Sequence, residues 1–178
     1  MGDEAVGREI PLTGRDEYGS VRGGSYAALE HGGKSVSKKD GVAIVVGSFH
    51  KVETEKMLSS AIAAMKERGL QLLTVVRVPG SYEKPLAVKR LLLRKEIQGV
   101  VVLGIIERGE TAHGLVMGQS VGNALVQLQL EFMKPIGIGI IGPEVHPSQI
   151  PPRLHDHAVA AVAALDTMLR AEETDPSA

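Results

Sequence analysis

Short apolar runs rich in β-branched residues alternate along this chain with segments of helical period, which predicts an α/β fold: a parallel sheet between layers of helices. Three observations carry that reading. Val42-Ala-Ile-Val-Val, Leu72-Leu-Thr-Val-Val-Arg-Val, Val100-Val-Val-Leu and Pro135-Ile-Gly-Ile-Gly-Ile-Ile are almost continuously apolar, as strands covered on both faces are. The stretches between them are long enough for helical crossovers, so consecutive strands run parallel. Each helical stretch also starts soon after a strand ends, which gathers the connecting loops at the C-terminal edge of the sheet, where ligands of such folds bind.

Taken in order, residues 1–40 are polar and rich in Gly and Ser and show no persistent apolar period, so they are expected to form a flexible extension, poorly ordered before about Lys38. The first strand, Val42 to Val46, ends at Gly47-Ser-Phe-His-Lys. Val52 to Arg68 is predicted helical, with Met57, Leu58, Ala61, Ile62 and Met65 on one face and Gly69 as its stop. The second strand, Leu72 to Val78, leads through Pro79-Gly-Ser-Tyr-Glu-Lys-Pro into a helix carrying Leu86, Ala87, Val88, Leu91 and Leu92. The third strand is Val100 to Leu103, and Ala112 to Phe132 is the third helix. The fourth strand is Pro135 to Ile141, followed by a loop from Pro143 to Ser148. A last helix spans Gln149 to Arg170, with Pro151 and Pro152 suited to its first turn, and residues 171–178 form a tail.

Composition narrows the function. At 178 residues the chain makes one domain with a real core, and 43% apolar content is ordinary for a globular protein. A formal charge of -1 with no long basic run argues against nucleic acid and membrane surfaces as partners. No apolar run reaches the length of a membrane span and no signal-peptide core is present, so a cytoplasmic protein is expected. With no cysteine, thiolate chemistry and disulfides are excluded.

The stretch from Leu103 to His113 carries the chemistry. Where a buried parallel strand passes into a helix, backbone N–H groups and the helix dipole favour an anion. Gly109 admits close approach, the Thr111 hydroxyl can donate to a phosphate oxygen, and His113 brings an imidazole, a side-chain type suited to carrying protons. A surface loop with an exposed histidine reads equally well from this stretch alone. Phe49-His50, Gly80 to Glu83 and the loop leading to Arg153 are expected at the same edge. Gly137-Ile-Gly-Ile-Ile-Gly142 matches a dinucleotide pattern, but its glycines lie inside a strand and Pro143 stands where a helix should open. They are expected to allow close packing. His155 and His157, with His146 nearby, are two apart on a helix and face different ways, which argues against a metal site.

Together the motifs resemble the lumazine synthase family, over about Gly41 to Arg170. Val78-Pro-Gly-Ser-Tyr-Glu-Lys-Pro-Leu-Ala, the run from Gly104 to Gly109-Glu-Thr-Ala-His113, and the Gln149 and Arg153 pair match its motifs in order and spacing. The Ile141-Gly-Pro loop is most similar to archaeal-type members. The resemblance implies a flavodoxin-like three-layer α/β/α sandwich with a four-stranded parallel sheet of order 2-1-3-4. It implies condensation of 5-amino-6-ribitylaminopyrimidinedione with 3,4-dihydroxy-2-butanone 4-phosphate to 6,7-dimethyl-8-ribityllumazine, in riboflavin biosynthesis, without metal or organic cofactor. In that family Phe49 would stack on the pyrimidine, with His50 beside it. Ser81 and Tyr82 would present backbone groups to the heterocycle and ribityl chain, and Glu83 would bind ribityl hydroxyls. Gly109, Glu110 and Thr111 would seat the phosphate, and His113 would move protons. Arg153 would reach the phosphate from a neighbouring subunit whose Ile138 segment closes the pocket, in a homo-pentamer or an icosahedral shell of pentamers.

The chain departs from the family pattern at Ser48 and His50, where Arg and Asn are usual, at Gly114-Leu115, and near Ala158, where a lysine is usual. These departures motivate one alternative, a catalytically weak or inactive scaffold that keeps the assembly and binds flavin-like ligands or packs as a shell; a second alternative is the related archaeal-type riboflavin synthase. The retained Gly-Glu-Thr-Ala-His run speaks against the second.

Overall fold

A computed structural model describes residues 41–171. The expected extension over residues 1–40 and the tail beyond Ala171 lie outside the described residues.

Ten elements follow one another: β1 (Gly41–Gly47), α1 (Lys51–Glu67), β2 (Gln71–Val78), α2 (Lys84–Leu92), β3 (Gly99–Glu107), α3 (His113–Phe132), β4 (Ile136–Val145), two 3₁₀ turns (Pro147–Gln149 and Pro151–Arg153) and α4 (Leu154–Ala171). The four strands form one parallel sheet in the order β2-β1-β3-β4, as expected. β1 and β3 are the inner strands, and every residue from Val42 to Val46 and from Val100 to Leu103 is at most 1% exposed. Alternation along them feeds two cores. Val42, Ile44, Val46, Val101, Leu103 and Ile105 pack with α1 and α4. Ala43, Val45, Val100 and Val102 pack with α2 and α3 on the other face.

α1 buries Met57, Leu58, Ala61, Ala64 and Met65, and Gly69 follows it at φ +73°, the left-handed position that ends a helix. Ile62, expected on the buried face, is 40% exposed. It sits at the border of the apolar stripe, where a short residue, Ala64, is drawn in instead. Leu86 of α2 is likewise exposed, because α2 buries the face of Lys84, Val88, Leu91 and Leu92.

Three expected boundaries move. β3 runs on from Leu103 through Glu107, because Gly104, Ile105 and Ile106 remain buried and Arg108 still donates its N–H to Val145. β4 continues through the expected loop to Val145, across a cis Gly142–Pro143 bond. The last α-helix starts at Leu154 instead of Gln149; Pro151 and Pro152 fall in a 3₁₀ turn, since neither can donate an N–H to a helical ladder.

The glycines of the false dinucleotide pattern have a packing role. A β-carbon on Gly137 would run into the Ala161 carbonyl of α4, and one on Gly139 would fall 2.8 Å from Leu103 and 3.1 Å from Ala161. Their lack of side chains is what lets α4 lie against β4. At the far end of the same helix, Asp166 takes Arg68, the C-cap of α1, at 3.2 Å and Arg170 at 2.9 Å, joining the two helices of that layer.

Gly137→Ala is therefore expected to lower stability by about 2 kcal/mol, the usual cost of overpacking a core. Gly69→Ala, strained only at its φ, should lose about 1 kcal/mol. Urea denaturation of the two variants checks this; a neutral Gly137→Ala would remove the close-packing role.

Candidate functional site

β1, β2 and β3 end in three loops that surround one cleft. β1 ends at Gly47, and the Ser48 N–H is held by the Val78 carbonyl at 2.8 Å, so the chain turns over the end of β2. Phe49 then projects at the mouth, 57% exposed, with its ring edge against His50 at a centroid distance of 4.6 Å. His50 adopts φ 56° and opens α1; its carbonyl accepts the Thr54 N–H at 2.9 Å. Its Nε2 lies 3.1 Å from Glu107 Oε2 at the end of β3, without hydrogen-bond alignment.

The second loop turns tightly at Gly80-Ser81-Tyr82-Glu83. The Glu83 carboxylate accepts the Gly80 N–H at 2.8 Å, and the Lys84 N–H goes back to the Ser81 carbonyl at 3.2 Å. The third loop, Arg108 to Ala112, leads into α3, whose first residue is His113. No side chain caps that helix at Ala112, while the Thr111 hydroxyl receives the His113 N–H at a long 3.4 Å. A β-carbon on Gly114 would fall 2.7 Å from the Glu107 carbonyl, so glycine is what lets the first turn of α3 lie on the end of β3.

The cleft between these loops holds about 400 Å³ and is lined by Phe49, Ser81, Glu107, Gly109, Thr111 and His113, with apolar floor from Ile105 and Ile106. It combines an aromatic face, a proton carrier and a loop-to-helix junction suited to an anion.

Five of the expected residues thus meet in one cleft: Phe49, Ser81, Gly109, Thr111 and His113. The others stand differently. His50 lies behind Phe49 and faces Glu107. Tyr82 is on the rim, edge-on to His113 at 6.0 Å. Glu83 caps its own turn, and Glu110 points to solvent. Arg153 does not join the cleft. It lines a separate depression of about 280 Å³ with Pro143, Gln149 and His157, and its guanidinium donates to the Gln149 carbonyl at 2.7 Å. Within one chain, therefore, three loop ends converge and the fourth does not, because the extension of β4 carries the last turn outward. Ile138 is on β4, 43% exposed. Among the described residues, no three His, Asp or Glu side chains gather where they could hold a metal, and His155 faces Ser60 at 3.3 Å.

Two residues at the site escaped the sequence reading. Glu107 was hidden by the early end assigned to the third strand. Lys84 is the larger surprise: it is 1% exposed, and its Nζ donates to Ser81 Oγ at 2.9 Å and to the Gly80 carbonyl at 3.3 Å. β-Carbons on Gly47, the last residue of β1, and on Gly104, within β3, would fall 2.8 and 2.7 Å from that nitrogen. The signal was present in the spacing, since Lys84, Val88 and Leu91 share one helical face. Burial pulls the lysine down from 10.5 to about 8, opposed by the negative charge of Glu83.

The sign of that shift gives a pH dependence. Between pH 8 and 10.5 the unfolded chain holds a proton on Lys84 that the folded chain has released, so this group's contribution to stability rises with pH through that window and is unfavourable below it. The rise should be about 3 kcal/mol in wild type and absent in Lys84→Met. Urea midpoints of the two proteins from pH 7 to 10 check this; a constant difference between them would mean that the amine is not desolvated.

The family model described as 6,7-dimethyl-8-ribityllumazine synthase matches residues 40–173. A protein of that name from Metallosphaera sedula is 40% identical over 129 residues, covering 72% of this chain and 85% of the relative. The one from Staphylothermus marinus is 38% identical over 128 residues, with the same coverage of both chains, 72% and 85%. The one from Sulfolobus acidocaldarius is 36% identical over 132 residues, 74% of this chain and 84% of the relative. Fold, strand order and sequence agree: the chain belongs to the 6,7-dimethyl-8-ribityllumazine synthase family.

Proposed function

We propose that this protein condenses 5-amino-6-ribitylaminopyrimidinedione with 3,4-dihydroxy-2-butanone 4-phosphate to give 6,7-dimethyl-8-ribityllumazine. The observation that carries the reading is the meeting of Phe49, Thr111 and His113 in one cleft of a chain of this family. The reaction joins the primary amine of the pyrimidine to the ketone carbon with loss of water. The bond to phosphate then breaks as a proton leaves the neighbouring carbon. The ribityl-bearing nitrogen closes the ring on the carbonyl formed next, and a second water departs. Each of these steps moves protons near neutral pH, and the leaving group is an anion that must be held.

Phe49 offers its face to the pyrimidine ring. Ser81 and Tyr82 border the heterocycle and the ribityl chain, and Glu83, with one carboxylate oxygen on Gly80, turns the other toward ribityl hydroxyls. Gly109, Glu110 and Thr111 receive the phosphate at the start of α3, where N–H groups and the helix dipole oppose its charge. His113, in the first turn of that helix, takes and returns protons during imine formation and elimination. His50 and Glu107 close the back of the site behind Phe49.

Arg153 and Ile138 are kept apart from this cleft within one chain, and they are assigned to the cleft of a neighbouring copy. A cyclic homo-pentamer supplies that arrangement, since head-to-tail contacts close into rings. The outer surface of α3 supports association: Val116, Val126 and Leu130 are at least 45% exposed, while Val121, Leu125 and Leu128 of the same helix are buried in the core. Residues 41–170 are the catalytic domain of this reading, residues 1–40 an extension to it, and the enzyme works in the cytoplasm.

Mixing the two substrates with purified protein and following lumazine absorbance tests the reaction, with riboflavin formation scored in parallel; an intact assembly that forms no lumazine would refute it. His113→Ala should lower kcat by roughly 10²–10⁴-fold and leave substrate binding largely intact. Unchanged turnover would remove His113 from the mechanism. Arg153→Ala should raise KM for the ketone phosphate about tenfold while sparing that for the pyrimidine amine. Native mass spectrometry should find pentamers or multiples of them, and a fully active monomer or dimer would rule out the shared site.

A further inference from the structure

The most costly side chain near the cleft is one that the proposed reaction does not use. Lys84 opens α2, where the helix dipole disfavours a cation, and its ammonium is buried. Its side-chain hydrogen bonds go to Gly80 and Ser81, and none goes to a carboxylate. A methionine would occupy similar space with no charge to desolvate. Both inner strands nevertheless carry glycine where the ammonium lies, Gly47 at the end of β1 and Gly104 within β3, so two positions combine to accommodate it.

The chemistry of the two partners sets a direction. An ammonium has donors and no lone pair, so Ser81 Oγ can only accept from it. The hydroxyl's own hydrogen is then free for a different acceptor, and Ser81 lines the cleft. Building on the proposed reaction, we propose that Lys84 is a positioning residue that orients the Ser81 hydroxyl as a hydrogen-bond donor to the cleft, so that this wall selects a ring carbonyl of the pyrimidinedione. A donor group of a ligand would meet a donor there and be rejected, because a buried polar clash leaves both groups unpaired.

The charges around Lys84 are few. Glu83, at the N-cap of α2, raises its basicity; β1 and β3 bring Gly47 and Gly104 against it. Glu107 and His113 line the cleft, and His50 stands behind Phe49. With burial holding the amine near 8, the ammonium predominates at neutral pH. Above that value the nitrogen gains a lone pair, the hydroxyl can turn toward it, and the donor facing the cleft is lost.

Calorimetry with the pyrimidine amine alone, on wild type, Ser81→Ala, Lys84→Met and the double variant, tests this. Each single variant should bind about tenfold more weakly, and the double variant no more weakly than either. In turnover the loss should fall on KM for the amine and spare kcat. Wild-type affinity should weaken above pH 8, and that limb should vanish in Lys84→Met. Normal affinity in a folded Lys84→Met, or additive losses in the double variant, would overturn the proposal. Should Lys84→Met not fold, the Lys84 ε-carbon resonance titrated in wild type and Ser81→Ala decides: loss of the acceptor should move the titration to lower pH, and an unmoved titration overturns the proposal. A wild type that neither binds the amine nor forms lumazine would instead refute the proposed reaction, while the resonance titration still reports on the Lys84–Ser81 pair.

Discussion

Two strands buried on both faces govern this molecule. Once β1 and β3 lie at the centre of a parallel sheet, neither face can meet water, and each must be covered by helices. Parallel pairing also forces every connection to cross from one edge of the sheet to the other. The loops that follow β1, β2 and β3 therefore emerge together, and the cleft is the space their helices leave above the strand ends. α4 completes the cover on one side by approaching β4 over Gly137 and Gly139, which have no side chains to keep it away.

The same burial shapes the electrostatics of the site. Where β1 ends beside the middle of β3 the sheet is still dry, yet Gly47 and Gly104 leave a hollow there. Lys84 fills it from the start of α2 and ties the Gly80–Ser81 turn to the sheet through two hydrogen bonds. A charged group there is expensive because water is absent. For the same reason the shorter of its hydrogen bonds, to Ser81 Oγ at 2.9 Å, counts for more than it would in water. One wall of the cleft is thus anchored to the inner strands, whereas the opposite wall, Gly109 to His113, is exposed loop passing into a helix. A wall tied to the sheet on one side and an exposed loop-to-helix junction on the other suit the proposed reaction, which keeps one substrate ring and expels a phosphate.

Part of the apolar surface left outside the two cores gathers in one half of the molecule. Val116, Val126 and Leu130 face away from the sheet on α3, and Ile138 lies uncovered on the outer strand β4. Both belong to the β3-to-β4 half of the molecule, the half that also carries Arg153. A neighbour that covered this surface would bring Arg153 toward another cleft, so association and completion of the site are coupled in the proposed ring.

Much of this was legible in the chain itself. Apolar runs identified all four strands, helical spacing found the four helices, and the order of the sheet agreed with the family resemblance. Phe49, Ser81, Gly109, Thr111 and His113 were readable because they occupy the first turns after strand ends, a position set by local connectivity. What the chain alone did not decide depends on contacts between distant segments. Pro143 reads as a loop, yet β4 continues past it, because pairing with β3 extends to Val145. Glu107 reads as loop until the same pairing lengthens β3. Arg153 reads as a partner of the cleft, but the extended β4 carries it to a separate depression. Lys84 reads as one more solvated lysine, since helical spacing reports which face a residue takes and not what waits there. Only the packing of α2 over two strands, with glycine at Gly47 and Gly104, provides a buried place for its ammonium and sets an ordinary charged residue behind the wall of the site.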